Sequence, residues 1–123
     1  MGMEQTVAFE AGNVPAWDAV GVLLFGLGYS VQLRMIDGQL SLPDEQPPDD
    51  WRELRVGTPQ GMVTLRRAGD RISLVTWGNA DRELTQAWNA LTWACAEAGG
   101  GRILSEKGPL TPGEYRRGAD LPF

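Results

Sequence analysis

The chain of 123 residues has the length of a single domain. A chain of this size buries about two-thirds of the surface that it exposes when unfolded, so it can build a core without disulfides or metals. Its net charge of −5 argues against general binding to nucleic acid, because that binding requires a basic surface.

The residue types that carry most acid–base and nucleophilic chemistry are scarce. The sequence contains no histidine and one cysteine, Cys95, which excludes Ser/His and Cys/His pairs and disfavours a zinc site. Cys95 falls on the apolar side of a predicted helix, so we expect a buried thiol and a reducing compartment. We therefore predict a cytoplasmic protein that is not an enzyme and has no cofactor and no metal.

The first predicted elements are a strand over 6–10 and a helix over 14–27. Pro15 suits the first turn of this helix, and Gly26 and Gly28 end it. The helix is apolar almost all round, so we expect little of it to face water. Its apolar run over 19–27 is only about half of a membrane span, and we predict no membrane contact.

The middle of the chain predicts strands joined by tight turns. Asp37-Gly38 is a strong two-residue hairpin turn, after which Leu40 and Leu42 are expected to face inward. A Pro-rich acidic loop over 43–50 interrupts the series. The strand signals lie at 29–36, 39–42, 54–56, 62–67, 71–77 and 102–105.

The longest helix is predicted over 79–101. Asn79 or Asp81 can cap its first turn, and glycines at 99–101 end it. Its core stripe contains Leu84, Ala87, Trp88, Leu91, Cys95 and Ala98. Trp93 lies on the opposite side, and two interpretations stay open: it is an exposed anchor for a partner, or the C-terminal tail covers it.

The two predicted helices resemble each other in sequence. Ala16-Trp17 aligns with Ala87-Trp88, and the same offset places Gly28 on Gly99. Structural duplication and coincidence both stay open as explanations. Under either one, Trp17 and Trp88 are expected to be core residues.

These elements predict an α+β fold with one domain over 1–123 and a C-terminal tail over 108–123. The architecture is a two-layer α/β sandwich, in which a mainly antiparallel sheet of five to seven strands has two helices on one face. Two β-α-β halves would make it a variant of the ferredoxin-like arrangement. The open face of the sheet is predicted to carry Arg34, Ile36, Ser41, Arg55, Thr64, Ser73, Val75 and Trp77.

Five carboxylates lie in or beside the acidic loop: Asp44, Glu45, Asp49, Asp50 and Glu53. They can bind a hard cation, supply paired carboxylates for acid–base work, contact a basic partner, or simply be solvated. Their spacing does not match an EF-hand, which needs alternating ligands and a central glycine. We favour a solvated loop, with contact to a basic partner as the next interpretation.

The sequence thus predicts a non-enzymatic protein-interaction module, most simply a homodimer, acting through an aromatic surface. The helix-side candidates are Trp93 with Val22 or Phe25, and the sheet-side candidates are Trp77 with Ile36. An acidic inhibitor that masks a basic protein is one concrete form of this interaction hypothesis. Separately, the predominance of arginine over lysine is compatible with a bacterial source.

The alternative function is that of a small-ligand-binding regulatory domain. Its pocket would lie between sheet and helices and be lined by Trp17, Trp88 and Met35. An unfilled cavity of several hundred cubic ångströms would favour it.

Overall fold

The computed structural model describes residues 3–42, 44–77 and 80–123. Within these ranges the chain forms eight strands and three helices. The strands are β1 (Met3–Ala8), β2 (Gln32–Ile36), β3 (Gln39–Leu40), β4 (Glu53–Thr58), β5 (Gly61–Ala68), β6 (Arg71–Thr76), β7 (Arg102–Ser105) and β8 (Gly108–Leu110). The helices are α1 (Trp17–Gly26), α2 (Arg82–Gly99) and α3 (Pro112–Gly118).

The described strands form one antiparallel sheet in the order β3-β2-β4-β5-β6-β1-β7-β8. This confirms the α+β class and the antiparallel sheet. The predicted five to seven strands and two helices are too few, because the segment predicted as a tail contributes β8 and α3. A capping box begins α3 within this segment: Thr111 Oγ1 accepts a hydrogen bond from the Glu114 amide, and the Glu114 carboxylate accepts one from the Thr111 amide.

Each of the two longer helices connects strands that run in the same direction. α1 leads from β1 to β2, which are separated by three other strands, and α2 leads from β6 to β7, which flank β1. Both helices bury side chains in the same core cluster as the sheet, so they lie on one face of it. Structural duplication and coincidence both remain open as explanations of the sequence likeness between the two helices.

The core lies between the sheet and the helices. Trp17 is buried there, which confirms it as a core residue, whereas Trp88 is only partly buried and packs against the same cluster. α2 begins at Asp81, whose Oδ1 accepts a hydrogen bond of 2.8 Å from the Leu84 amide; the other predicted cap, Asn79, lies outside the described residues. The described helices lack the length or the apolar character that crossing a membrane requires.

A bulge in β2 places Ile36 in the core and not on the open face of the sheet. The register of β2 on β4 shifts between Leu33 and Met35, so that Ile36 pairs with the fully buried Leu54. One extra residue reverses the alternation of a strand. The prediction that Ile36 lies beside Trp77 on the open face is therefore wrong.

The Asp37-Gly38 turn is confirmed, but the strand after it is not packed inward. Asp37 and Gly38 both have positive φ values, 49° and 84°, as the predicted hairpin turn requires. β3 contains two residues and lies at the edge of the sheet, with Leu40 opposite Met35 on the open face. Leu40 and Leu42 are both exposed, contrary to the prediction.

Candidate interaction surfaces

The outer face of α1 carries large apolar side chains that the described chain leaves uncovered. Phe25 is 72% exposed and Val22 is 64% exposed, and they lie one helical turn apart. The opposite side of α1 buries Trp17, Val20 and Leu24. The expectation that little of this helix faces water is therefore wrong, because only one of its apolar sides packs against the core. We call Val22 and Phe25 with their surroundings the α1 patch.

A recess lies within the α1 patch, directly beside Phe25. It has a volume of about 210 Å³. Its lining includes Asp18, Gly21, Val22, Phe25, Val31 and Gln46. A Cβ atom at Gly21 would meet no atom within 4 Å, so the glycine helps to keep the recess open. The patch therefore presents a projecting ring and a hollow side by side.

Trp93 is not part of an exposed surface, which corrects the expectation of an exposed anchor. It is 4% exposed. The ring of Phe123 lies 5.4 Å from the ring of Trp93, and the guanidinium carbon of Arg116 lies 4.8 Å from the same ring. The C-terminal residues therefore cover Trp93, as the second interpretation of this residue proposed.

Polar contacts hold the same C-terminal segment against α2. The side-chain amide of Asn89 donates a 3.0 Å hydrogen bond to the backbone oxygen of Asp120. The Asp120 carboxylate accepts hydrogen bonds of 3.0 Å from Arg82 Nε and 3.0 Å from Gln86 Nε2. These bonds, first that from Arg82, lower the pKa of Asp120 below its ordinary value of 3.8.

Tyr115 of α3 contacts the same residue of α2, Asn89, that binds the backbone of Asp120. Its hydroxyl lies 2.8 Å from Gln5 Oε1 and 2.9 Å from Asn89 Oδ1, and burial raises its pKa to about 12. Gln5 Nε2 in turn donates to Asn89 Oδ1 and to Thr92 Oγ1 at 3.1 Å each. These buried groups satisfy one another, as a structural junction requires. A cleft of about 400 Å³ adjoins them.

The open face of the sheet carries Trp77, as predicted, next to paired charges. Trp77 is 59% exposed, and the guanidinium carbon of Arg66 lies 5.6 Å from its ring. Glu53 lies between two arginines: its carboxylate oxygens are 3.2 Å from Arg66 Nε and 3.9 Å from Arg55 Nε. We call the surface formed by Arg55, Arg66 and Trp77 with Glu53 the arginine face.

The acidic loop does not gather its carboxylates. Asp44, Glu45, Asp49 and Asp50 are all exposed, while Glu53 is part of β4 and pairs with arginines on the open face. Pro43, the first residue of the predicted loop, lies outside the described residues. Within the described ranges, no group of three or more acidic or cysteine side chains is placed to hold a metal ion.

The residues predicted to line a ligand pocket do not converge. Met35 pairs with Arg55 on the open face of the sheet, whereas Trp17 and Trp88 pack into the core on the other side.

Cys95 is fully buried as predicted, and burial raises its pKa to about 12. A thiol in that environment is protonated at neutral pH and is a poor nucleophile.

Sequence reasoning missed the recess and the Arg55–Glu53–Arg66 grouping. Gly21 lies four residues before Phe25, so helical spacing alone places both on one face. Glu53 pairs with Arg66 across β4 and β5, and that register depends on the Thr58–Gly61 turn.

Comparison of the chain with models of protein families, with curated protein sequences and with solved structures found no match.

Proposed function

We propose that this protein is a non-enzymatic protein-interaction module whose α1 patch docks on the same patch of a second copy. The observation that carries the proposal is the exposure of Phe25 and Val22, 72% and 64%, on a helix whose other side is packed. Water contact with such side chains is unfavourable, and fully burying each one contributes about 1.5–3 kcal/mol. A non-enzymatic role is supported by the lack of histidine and by the buried, protonated Cys95.

The shape of the α1 patch supports a second copy as the partner. In a dimer with two-fold symmetry the same patch faces itself, so each surface must complement its own copy. Phe25 projects next to a recess of about 210 Å³, and a two-fold contact inserts the ring of each protomer into the recess of the other. Phe25 and Val22 together expose on the order of 200 Å², so polar neighbours must supply the rest of a standard interface of about 800 Å² per partner.

The charge around the α1 patch predicts how such a dimer responds to salt. Asp18 and Gln46 border the recess, and the loop that contains Gln46 also carries Asp44 and Glu45. A two-fold contact brings these acidic groups of both copies towards each other. Salt screens that repulsion, so the dimer should become tighter as the ionic strength rises.

The test is the solution mass, measured by sedimentation velocity over micromolar concentrations. We expect the wild type to dimerise, and Phe25→Ser and Gly21→Leu to be monomers. Gly21→Leu is expected to fill the recess, because Gly21 lines it and a Cβ atom there meets no atom within 4 Å. Leu42→Ser is the matched control: Leu42 is also 72% exposed but lies outside the patch, so this variant should dimerise normally. A wild type that is monomeric throughout, or a Gly21→Leu variant that dimerises like the wild type, contradicts the proposal.

A second candidate function, binding of a small polar ligand, is favoured by the cleft of about 400 Å³ beside Tyr115. Glu114 and Asp120 lie at this cleft together with the amides of Gln5 and Asn89. A thermal-shift screen with amino acids, nucleosides and sugars tests it. A ligand should raise the melting temperature of the wild type and not that of Ala119→Trp, which occupies the cleft. If no compound raises the melting temperature, this function is rejected.

A further inference from the structure

The charge of the arginine face is opposite to that of the chain as a whole. The chain has a net charge of −5, and four of its carboxylates lie in the exposed loop after β3. On the open face of the sheet, arginine outnumbers glutamate. Strand register places Arg55, Arg66 and Arg71 there against Glu4 and Glu53.

The grouping of Arg55 and Arg66 with Glu53 has more hydrogen-bond donors than acceptors. Arg55 and Arg66 share one carboxylate, that of Glu53, and the side chain of each arginine is 51% exposed. Two guanidiniums present about ten N–H donors, whereas one carboxylate accepts about four hydrogen bonds. The grouping therefore has the capacity to bind further carboxylates, and arginine binds them with favourable bidentate geometry.

An apolar site lies directly beside these donors. Trp77 and Met62 are exposed and line a cleft of about 350 Å³ where β5 begins and β6 ends, together with Gln60, Gly61, Asp81 and Leu84. The Trp77 ring lies 5.6 Å from the Arg66 guanidinium. In an extended chain, side chains two residues apart point the same way and are separated by about 6.5 Å. An apolar residue followed at the second position by an acidic one therefore matches the spacing of Trp77 and Arg66.

We propose that the arginine face binds an extended acidic segment of a partner protein in which leucine-like and acidic residues alternate on one side. The carboxylates of the segment pair with Arg55 and Arg66, and its apolar side chain packs on Trp77 and Met62. The face is distinct from the α1 patch, since α1 lies on the other side of the sheet. Single-stranded nucleic acid fits less well, because the rest of the chain is acidic and repels phosphates.

The test uses fluorescence anisotropy with three labelled probes at low ionic strength. The first is a peptide in which two-residue steps place leucine and glutamate on one side, the second replaces glutamate by lysine, and the third is an oligothymidylate. We expect the wild type to bind the glutamate peptide and to bind neither of the others. Binding should weaken as salt is added, which is the opposite of the response expected of the dimer.

The variants assign the binding to the arginine face. Arg55→Gln with Arg66→Gln should weaken binding of the glutamate peptide at least about tenfold, since each lost charged hydrogen bond costs about that factor or more. Trp77→Ala should also weaken it, by about tenfold. Arg52→Gln with Arg117→Gln is the matched control: it removes the same charge from exposed positions elsewhere and should bind like the wild type.

Three results would overturn the proposal. One is equal binding of the lysine peptide, which would place the contact on the acidic surface. Another is arginine-dependent binding of the oligothymidylate in place of the glutamate peptide, which would make the face a nucleic-acid surface. The third is unchanged peptide binding in the double glutamine variant. Phe25→Ser should bind the peptide normally, so failure of the dimer and failure of this inference are distinguishable.

Discussion

The outer faces of α1 and α2 carry the same kind of residue, but only one of them is covered. Phe25 on α1 faces water, whereas Trp93 on α2 is buried beneath Phe123 and Arg116. Trp93 lies opposite the predicted core stripe of α2, and Phe25 lies outside the buried side of α1 that Trp17, Val20 and Leu24 form. The comparison shows that a large apolar residue outside the buried side of a helix can be covered by another segment of the same chain, as Trp93 is. Where no described segment covers it, as at Phe25, the surface is available to a partner.

The largest expected effect concerns the covered face. Trp93→Ala should lower the free energy of unfolding by about 3–5 kcal/mol, because it removes a buried aromatic side chain and leaves a cavity. Urea denaturation followed by circular dichroism measures it. If this variant does not fold, Trp93→Phe provides the test, with a smaller loss. A loss below about 1 kcal/mol in Trp93→Ala would show that the tail does not cover Trp93 in solution.

A matched pair of substitutions compares the two faces directly. Phe123→Ala should cost about 1–2 kcal/mol, since it removes an apolar contact and an aromatic pair with Trp93. Phe25→Ala, measured on the monomer, should cost less than about 0.5 kcal/mol, because its side chain is exposed. Urea midpoints of both variants at low protein concentration give the comparison. Equal losses of unfolding free energy would mean that the outer faces of α1 and α2 are covered to the same extent.

The smallest effect belongs to the exposed ion pair of the tail. Asp120→Asn should lower stability only slightly, because exposed ion pairs contribute little. Arg82 lowers the pKa of Asp120 in the folded state. The stability that the Asp120 carboxylate contributes is therefore fully present above its ordinary pKa of 3.8, and it is lost as the pH falls through the lowered pKa. The difference in urea midpoint between wild type and variant should therefore be larger at pH 7 than at about pH 3. A difference that grows on acidification would contradict this assignment.

The parts of the fold that follow from local patterns were predictable from the sequence. The Asp37-Gly38 turn, the Asp81 cap, and the burial of Trp17 and Cys95 each depend on residues within one element or one turn. Ile36 was misplaced because a bulge leaves no clear signal in the alternation that it interrupts. The error at Leu40 has another cause, since the position of β3 at the sheet edge depends on the order of all the strands.

The candidate surfaces were predictable to a smaller extent. Trp77 is exposed as the interaction hypothesis requires, since its position follows from strand periodicity. Val22 and Phe25 are exposed as well, but a helix that is apolar almost all round has no periodicity that distinguishes its exposed side from its buried side. The cover over Trp93 was left undecided, because it depends on a tertiary contact with Phe123. The grouping of Glu53 with two arginines depends on strand register, which a single sequence does not specify well when both strands carry mixed charges.

The rate at which Cys95 is alkylated can be used to measure the stability of the fold. Reagents that alkylate cysteine need an accessible thiolate, and in the folded state this thiol is both buried and protonated. Labelling must therefore await an opening of the α2 region, and its rate reports the population of that opened state in the same way as amide hydrogen exchange. Since the chain has one cysteine, every variant described above can be ranked by labelling rate under native conditions, with no added fluorophore and no denaturant.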